Sequence, residues 1–182
     1  MAHFFEELGA CVVDADKLAH EALLPGSLIY KEIVRHFSEI VLPDGHLDHK
    51  KLAGIIFHDA EKRKKLEALI HPYVFTRIME EISDAQEPVV VIEVPLLFET
   101  GYDRFCHEVI VVNVPESLAA QRLREKGFSE EEMAARRKAQ MPLEEKIKKA
   151  KRIIDNSGTF QQTRQKVEEI WKSLHPASKG AC

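Results

Sequence analysis

An α/β fold built on a parallel sheet is predicted by three observations. Short runs rich in Val and Ile fall at 10–13, 89–94 and 109–114, and none alternates apolar with polar residues. That is the pattern of strands covered on both faces. Helical patterns separate the runs, the order of a sheet with crossovers rather than of hairpins. The run at 89–94 leads straight into Pro95-Leu96-Leu97-Phe98-Glu99, and in open α/β sheets the carboxyl end of a strand faces the ligand crevice.

The elements follow in order. The chain opens at Met1-Ala2-His3-Phe4-Phe5, inside a helical pattern. The strand 10–13 ends at Asp14-Ala15-Asp16, and a helix is predicted over 17–23. Residues 17–87 are helical in pattern. Ile29, Ile33, Val34 and Phe37 recur at helical spacing, as do Leu52, Ile55 and Ile56, then Leu66, Leu69 and Ile70. Pro43-Asp44-Gly45 marks a turn, and Asp59 is placed to cap a helix starting at Ala60. Pro72 divides this region into helices 63–70 and 73–82. A single crossover needs only about a dozen residues, so 17–87 is predicted to be an inserted helical subdomain.

Beyond the strand 109–114, Ser129-Glu130-Glu131-Glu132 is a capping-box signature. Met141-Pro142 breaks the pattern and a helix is predicted over 143–151. The stretch 122–151 is basic and poor in large apolar residues, which suits a mobile flap. A weaker strand run spans 152–154, and Asp155-Asn156-Ser157-Gly158 is a loop. A helix over 160–174 places Val167, Ile170, Trp171 and Leu174 on one face, and 175–182 is a tail.

Composition narrows the function. The length suits one domain with small subdomains. The formal charge of -4 gives no reason to expect non-specific nucleic-acid binding. No apolar run is long enough to span a bilayer. Glu6 and Glu7 come early and no basic start precedes an apolar segment, so no secretory leader is expected. Cys11, Cys106 and Cys182 are too few and too far apart for a disulfide framework or a zinc site. Cys11 and Cys106 adjoin apolar runs and are predicted to be buried thiols, so a reducing cytoplasm is the expected compartment.

Four groups of residues are candidates for chemistry. Asp14 and Asp16 stand at a strand's carboxyl end, where phosphoryl transfer needs a carboxylate to accept a hydroxyl proton or support Mg²⁺. One of them capping the next helix is an equal reading. His71 sits beside Pro72, where a structural role is the simpler reading. Glu93, inside a strand, needs a partner if buried and none if it lies at an exposed edge. Arg122, Arg124, Lys126, Arg136, Arg137 and Lys138 crowd the flap. Guanidinium groups there can close over a transferring phosphoryl group, with Arg136 pointing inward on helical spacing. A solvated charged face is the plainer reading for any one of them.

Taken in order, Asp14-Ala15-Asp16, Leu69-Ile70-His71-Pro72, Val94-Pro95-Leu96-Leu97-Phe98-Glu99, Gln140-Met141-Pro142-Leu143-Glu144-Glu145-Lys146 and Ile153-Ile154-Asp155-Asn156-Ser157-Gly158 resemble the dephospho-coenzyme A kinase family over nearly the whole chain, 2–174. The resemblance implies a P-loop NTPase-like fold: a three-layer α/β/α parallel sheet with an inserted helical substrate domain and a lid. On this chain the nucleotide-binding core would take 1–16, 88–121 and 152–174, the substrate insertion 17–87, the lid 122–151 and the tail 175–182. It implies transfer of the ATP γ-phosphoryl to the ribose 3′-hydroxyl of dephospho-CoA, with ATP and Mg²⁺ and with no membrane or nucleic-acid partner. By resemblance Asp16 is the base, Asp14 its neighbour or Mg²⁺ support, and Arg136 a lid residue. His71, Leu97 and Glu99 stand on the substrate side, and Asn156 and Arg122 on the nucleotide side.

One departure stands out. The 182 residues contain no Gly-x-x-x-x-Gly-Lys-Ser/Thr loop. Ala2-His3-Phe4-Phe5-Glu6-Glu7-Leu8-Gly9 matches the helix that follows that loop, so the first strand and the phosphate cradle are expected to be absent from this chain. Lys126-Gly127 stands where the family has an Arg, and Lys supplies charge there without a bidentate fork. A start placed too far downstream would account for this, and the mutual consistency of the other motifs favours it. The alternatives are a catalytically inactive module binding a CoA-like ligand or a protein, and another P-loop small-molecule kinase.

Overall fold

The computed structural model describes residues 1–174. In chain order the first elements are α1 (Ala2–Glu7), β1 (Cys11–Asp14), α2 (Ala15–Glu21), α3 (Tyr30–His36), α4 (His49–His58) and α5 (Ala60–Asp84). They are followed by β2 (Val90–Glu93), β3 (Ile110–Asn113), α6 (Glu116–Glu125), α7 (Glu130–Ala139) and α8 (Leu143–Lys149). The described chain ends with β4 (Arg152–Asp155) and α9 (Phe160–Leu174). The predicted α/β alternation is therefore observed, with each strand within two residues of its sequence-based bounds. The predicted tail, Cys182 included, lies outside the described residues. Two compact units emerge: Cys11–Val94, and Met1–Ala10 together with the chain from Pro95 onward.

In the first unit β1 and β2 run parallel in the register Cys11↔Val90 to Asp14↔Glu93. Val13, Ala15, Leu18, Val74 and Ile78 form the buried cluster that fixes α2 and α5 beside this pair, with Ile92 and Val94 packed against it. A second cluster joins Ile33, Phe37, Ile40, Leu47, Leu52 and Leu66, and Ile33 and Phe37 are fully excluded from solvent. The predicted Pro43–Gly45 turn is present. Gly45 takes φ 84°, a conformation open mainly to Gly, and the Leu42 N–H donates to the His46 carbonyl at 2.8 Å.

One expectation fails here. Pro72 does not separate two helices, because α5 is continuous through it over 25 residues. Pro72 removes the N–H that would bond Ala68, a penalty of about 3 kcal/mol. Leu66 is buried in one cluster while Val74 and Ile78 are buried in the other. Each such side chain contributes roughly 1.5–3 kcal/mol of burial, so tertiary packing outweighs the break. Asp59 caps α5 as expected, accepting from the Glu61 and Lys62 N–H groups at 3.0 and 2.9 Å.

In the second unit β3 and β4 run parallel, from Ile110↔Arg152 to Asn113↔Asp155. The strands are not covered on both faces as the apolar runs led one to expect. Val111 and Ile154 are buried, but Val112 and Ile153 are 40% and 49% exposed. Among the described residues each sheet has two strands. Helix α1 packs on α9 through an edge-to-face contact of Phe4 with Phe160, ring centroids 4.6 Å apart. The basic stretch is helical, as the capping box and the 143–151 pattern predict. Ser129 and Glu132 form the predicted capping box, and Met133 is 1% exposed. Arg152 and Lys151 both pair with Glu108, tying the start of β4 to the segment before β3. Cys11 and Cys106 are half-buried instead of buried. Burial, followed by the Asp103 carboxylate, pushes the Cys106 thiol up.

Candidate active site

In the first unit the candidate chemistry gathers at the carboxyl ends of β1 and β2. Asp14 closes β1 and caps α2, its Oδ1 accepting from the Asp16 N–H at 2.9 Å and the Lys17 N–H at 3.1 Å. The capping reading of Asp14 is thus realised. Its second oxygen takes no part in those two bonds. Asp16 is exposed in the first turn of α2. Glu93 stands directly across from Asp14 in the strand register and is exposed, so it needs no buried partner. His71 lies half-buried in α5, the helix against which α2 packs.

In the second unit two of the predicted nucleotide-side residues meet. Arg122, near the end of α6, donates from Nη1 to the Asn156 backbone carbonyl at 3.0 Å. The Asn156 side-chain Oδ1 in turn accepts from the Thr163 hydroxyl at 3.0 Å. Thr163 is 3% exposed in the second turn of α9. Sequence reasoning missed it, although it stands on the same face as Val167 and Ile170 at helical spacing. A hydroxyl on an apolar face was the available signal. Beside Asn156 lies a cavity of about 370 Å³ lined by Asp155, Ser157, Gly158, Gln162 and Lys166, among others.

The loop after β2 forms a second focus. Phe98 is buried, and the Leu97 carbonyl accepts from the Tyr102 N–H at 3.0 Å and from the Thr100 hydroxyl at 3.2 Å. Leu97 is half-buried in this tight turn. Glu99 Oε1 accepts from the Met141 N–H at 2.5 Å and lies 3.0 Å from Lys146 Nζ. Burial pushes the Glu99 carboxyl upward, but the Met141 N–H and the Lys146 ammonium outweigh it and hold the group below its ordinary range. Lys146 was part of a motif in the sequence without an assigned role. Arg136 does not turn toward Arg122 or Asn156. It is exposed and its guanidinium lies 4.7 Å over the Phe128 ring.

Known proteins resemble this chain closely. The family model described as dephospho-CoA kinase matches residues 1–162. The dephospho-CoA kinase of Symbiobacterium thermophilum is 44% identical over 172 residues, covering 92% of this chain and 72% of that protein. That of Aquifex aeolicus is 39% identical, covering 96% of this chain and 90% of its own length. Among solved structures, TT1252 from Thermus thermophilus aligns with a TM-score of 0.82 at 36% identity, covering 95% of this chain and 89% of that one. The dephospho-CoA kinase from Campylobacter jejuni aligns with a TM-score of 0.66 at 31% identity, over 94% of this chain.

Proposed function

The chain belongs to the dephospho-CoA kinase family, and from that premise we propose the roles of its residues in phosphorylating the ribose 3′-hydroxyl of dephospho-CoA with ATP. The observation that carries the function is the family match over 1–162, joined by 44% identity to a dephospho-CoA kinase along 172 residues. It favours a kinase over a binding module.

Phosphoryl transfer asks mainly for in-line placement and neutralised charge. Asp16, exposed at the start of α2, is the group that accepts the ribose hydroxyl proton. Asp14 holds the turn that presents it, through the two cap bonds to the Asp16 and Lys17 N–H groups. Mg²⁺ is commonly held by one or two carboxylates together with substrate phosphates. The second oxygen of Asp14, at the carboxyl end of β1, fits that demand. When bound, the ion neutralises the charge of the phosphates. His71 and the 95–99 loop serve dephospho-CoA. Arg122 and Asn156 form the base-side wall for ATP, beside the cavity at 155–158. Arg136, on α7, belongs to the lid formed by 122–151. A cytoplasmic setting suits the reaction, and neither Cys11 nor Cys106 forms a disulfide among the described residues.

The test is a comparison of substrates. The full-length protein is expected to phosphorylate dephospho-CoA with ATP and Mg²⁺ and to leave nucleoside monophosphates unmodified. Preference for a nucleoside monophosphate would overturn the assignment.

A further inference from the structure

We infer that Lys146 and Glu99 form a latch that positions the end of the lid for catalysis, and that neither acts on the substrate's charge. This rests on the kinase reading above. A protonated lysine has three N–H donors, and three acceptors surround Lys146 Nζ. They are the Pro95 carbonyl at 2.8 Å, Glu99 Oε1 at 3.0 Å and Gln140 Oε1 at 3.3 Å. Two of them belong to the 95–99 loop, at its start and its end, and the third is the last residue before the Met141-Pro142 break. Lys146 itself sits in α8. Its ammonium is therefore spent on holding α8 and the α7–α8 hinge to the 95–99 loop.

Glu99 closes the arrangement from the other side. Besides Lys146 it accepts the Met141 backbone N–H at 2.5 Å, so one carboxylate fixes both the hinge backbone and the helix that follows. The two side chains are 12% and 18% exposed. That sets them apart from most of the chain's ion pairs, such as Arg124–Glu130 at 56% and 68%. Salt should therefore screen this pair less than those more exposed ones. Pro142, with no N–H, places the hinge next to a residue that cannot donate a backbone bond, its carbonyl accepting instead from the Glu145 and Lys146 N–H groups at 3.0 and 3.1 Å. The Glu99–Met141 bond is what anchors the hinge backbone to the 95–99 loop. Positioning matters steeply in phosphoryl transfer, where a misplacement of about 1 Å can lower the rate roughly a hundredfold.

The experiment uses full-length protein carrying Glu99→Gln, Lys146→Met, both together, or Lys146→Arg. Two quantities are read: hydrogen exchange at the Met141 amide, and kcat and KM for both substrates. A latch predicts that each single change speeds Met141 exchange roughly tenfold. It also predicts a kcat lowered roughly ten- to a hundredfold, with KM for ATP nearly unchanged. The double variant should be no worse than either single change, and Lys146→Arg should restore part of kcat. Exchange at Val167, in the α9 core, should stay unchanged, which separates a local latch from general loosening. A kcat loss far larger for Lys146→Met than for Glu99→Gln, with Met141 exchange unchanged, would show Lys146 acting directly on phosphate and overturn the proposal. Unchanged kcat and exchange in every variant would overturn it as well. If the unaltered protein does not phosphorylate dephospho-CoA, the kinase reading fails, while Met141 exchange still tests the latch.

Discussion

Arg122 and Asn156 stand 34 positions apart in the chain and meet through a 3.0 Å hydrogen bond from the guanidinium to the Asn156 carbonyl. The Thr163 hydroxyl holds the same residue's side-chain oxygen. Asn156 is thus fixed at its backbone by α6 and at its amide by α9. With Oδ1 engaged, the amide N–H groups remain to donate toward a base.

Substitutions along this chain of bonds should act on ATP before they act on dephospho-CoA. Thr163→Val leaves a side-chain oxygen without its buried donor and should lower stability by about 1 kcal/mol, while Thr163→Ser keeps the hydroxyl and should lose less. Arg122→Ala should raise KM for ATP about tenfold, near the worth of one charged hydrogen bond. Steady-state kinetics with each substrate varied in turn would check this. An equal rise in both KM values would count against a nucleotide-side role.

Asp14 and Asp16 separate by chemistry. Asn caps a helix about as well as Asp, whereas Ala loses about 1 kcal/mol. Asp14→Asn should therefore keep stability, and Asp14→Ala should lower it. Asp16→Asn should abolish most turnover while ATP binding changes little. Urea midpoints would settle the first pair, and titration calorimetry beside turnover the second. Equal loss of ATP binding and turnover in Asp16→Asn would mark a structural carboxylate.

Much of this architecture was legible beforehand because it follows from local rules. Valine- and isoleucine-rich runs marked the four strands, Asp59 and Ser129 announced the starts of α5 and α7, and Pro43-Asp44-Gly45 announced a turn. The misses share a different cause. Continuity of α5 through Pro72 depends on two buried clusters brought together by residues distant in sequence. The capture of Glu99 by Lys146, and of Asn156 by Arg122, are equally long-range. Arg136 was expected to point inward on helical spacing alone, but spacing does not reveal an aromatic ring just before the helix's N-cap. Phe128 supplies that ring.

Acid should weaken the protein through two carboxyls. The Arg152 guanidinium holds Glu108 below its ordinary range, against an opposing push from burial and with help from Lys151. Glu99 is depressed as well, with burial outweighed by the Met141 N–H and Lys146. A carboxyl whose pKa is lower folded than unfolded adds stability above its unfolded value, and that share is lost as pH falls through the folded one. Stability should thus be flat near neutrality and decline below about pH 4.3, where an unfolded Glu titrates. Thermal unfolding from pH 7 to 3 should show the decline. Glu99→Gln and Glu108→Gln should each flatten part of it while lowering stability at neutral pH. Slopes identical to the unaltered protein would remove these pairs from the account.

Pro72 allows the opposite kind of test. It interrupts the hydrogen bonding of α5 between Leu66, packed in one cluster, and Val74 and Ile78, packed in the other. If the helix merely tolerates Pro72, then Pro72→Ala restores a bond to Ala68. It should then stabilise the protein by about 1 kcal/mol or more, within the roughly 3 kcal/mol that an interior proline forfeits. If instead Pro72 sets a bend that lets one helix serve both clusters, straightening it pulls Leu66 or Val74 from its site and stability falls. The continuous helix with both clusters fully formed favours the first outcome, and chemical denaturation of Pro72→Ala decides between them. A variant that is more stable yet slower with dephospho-CoA would show that Pro72 is kept for its neighbour His71, at the expense of helix stability.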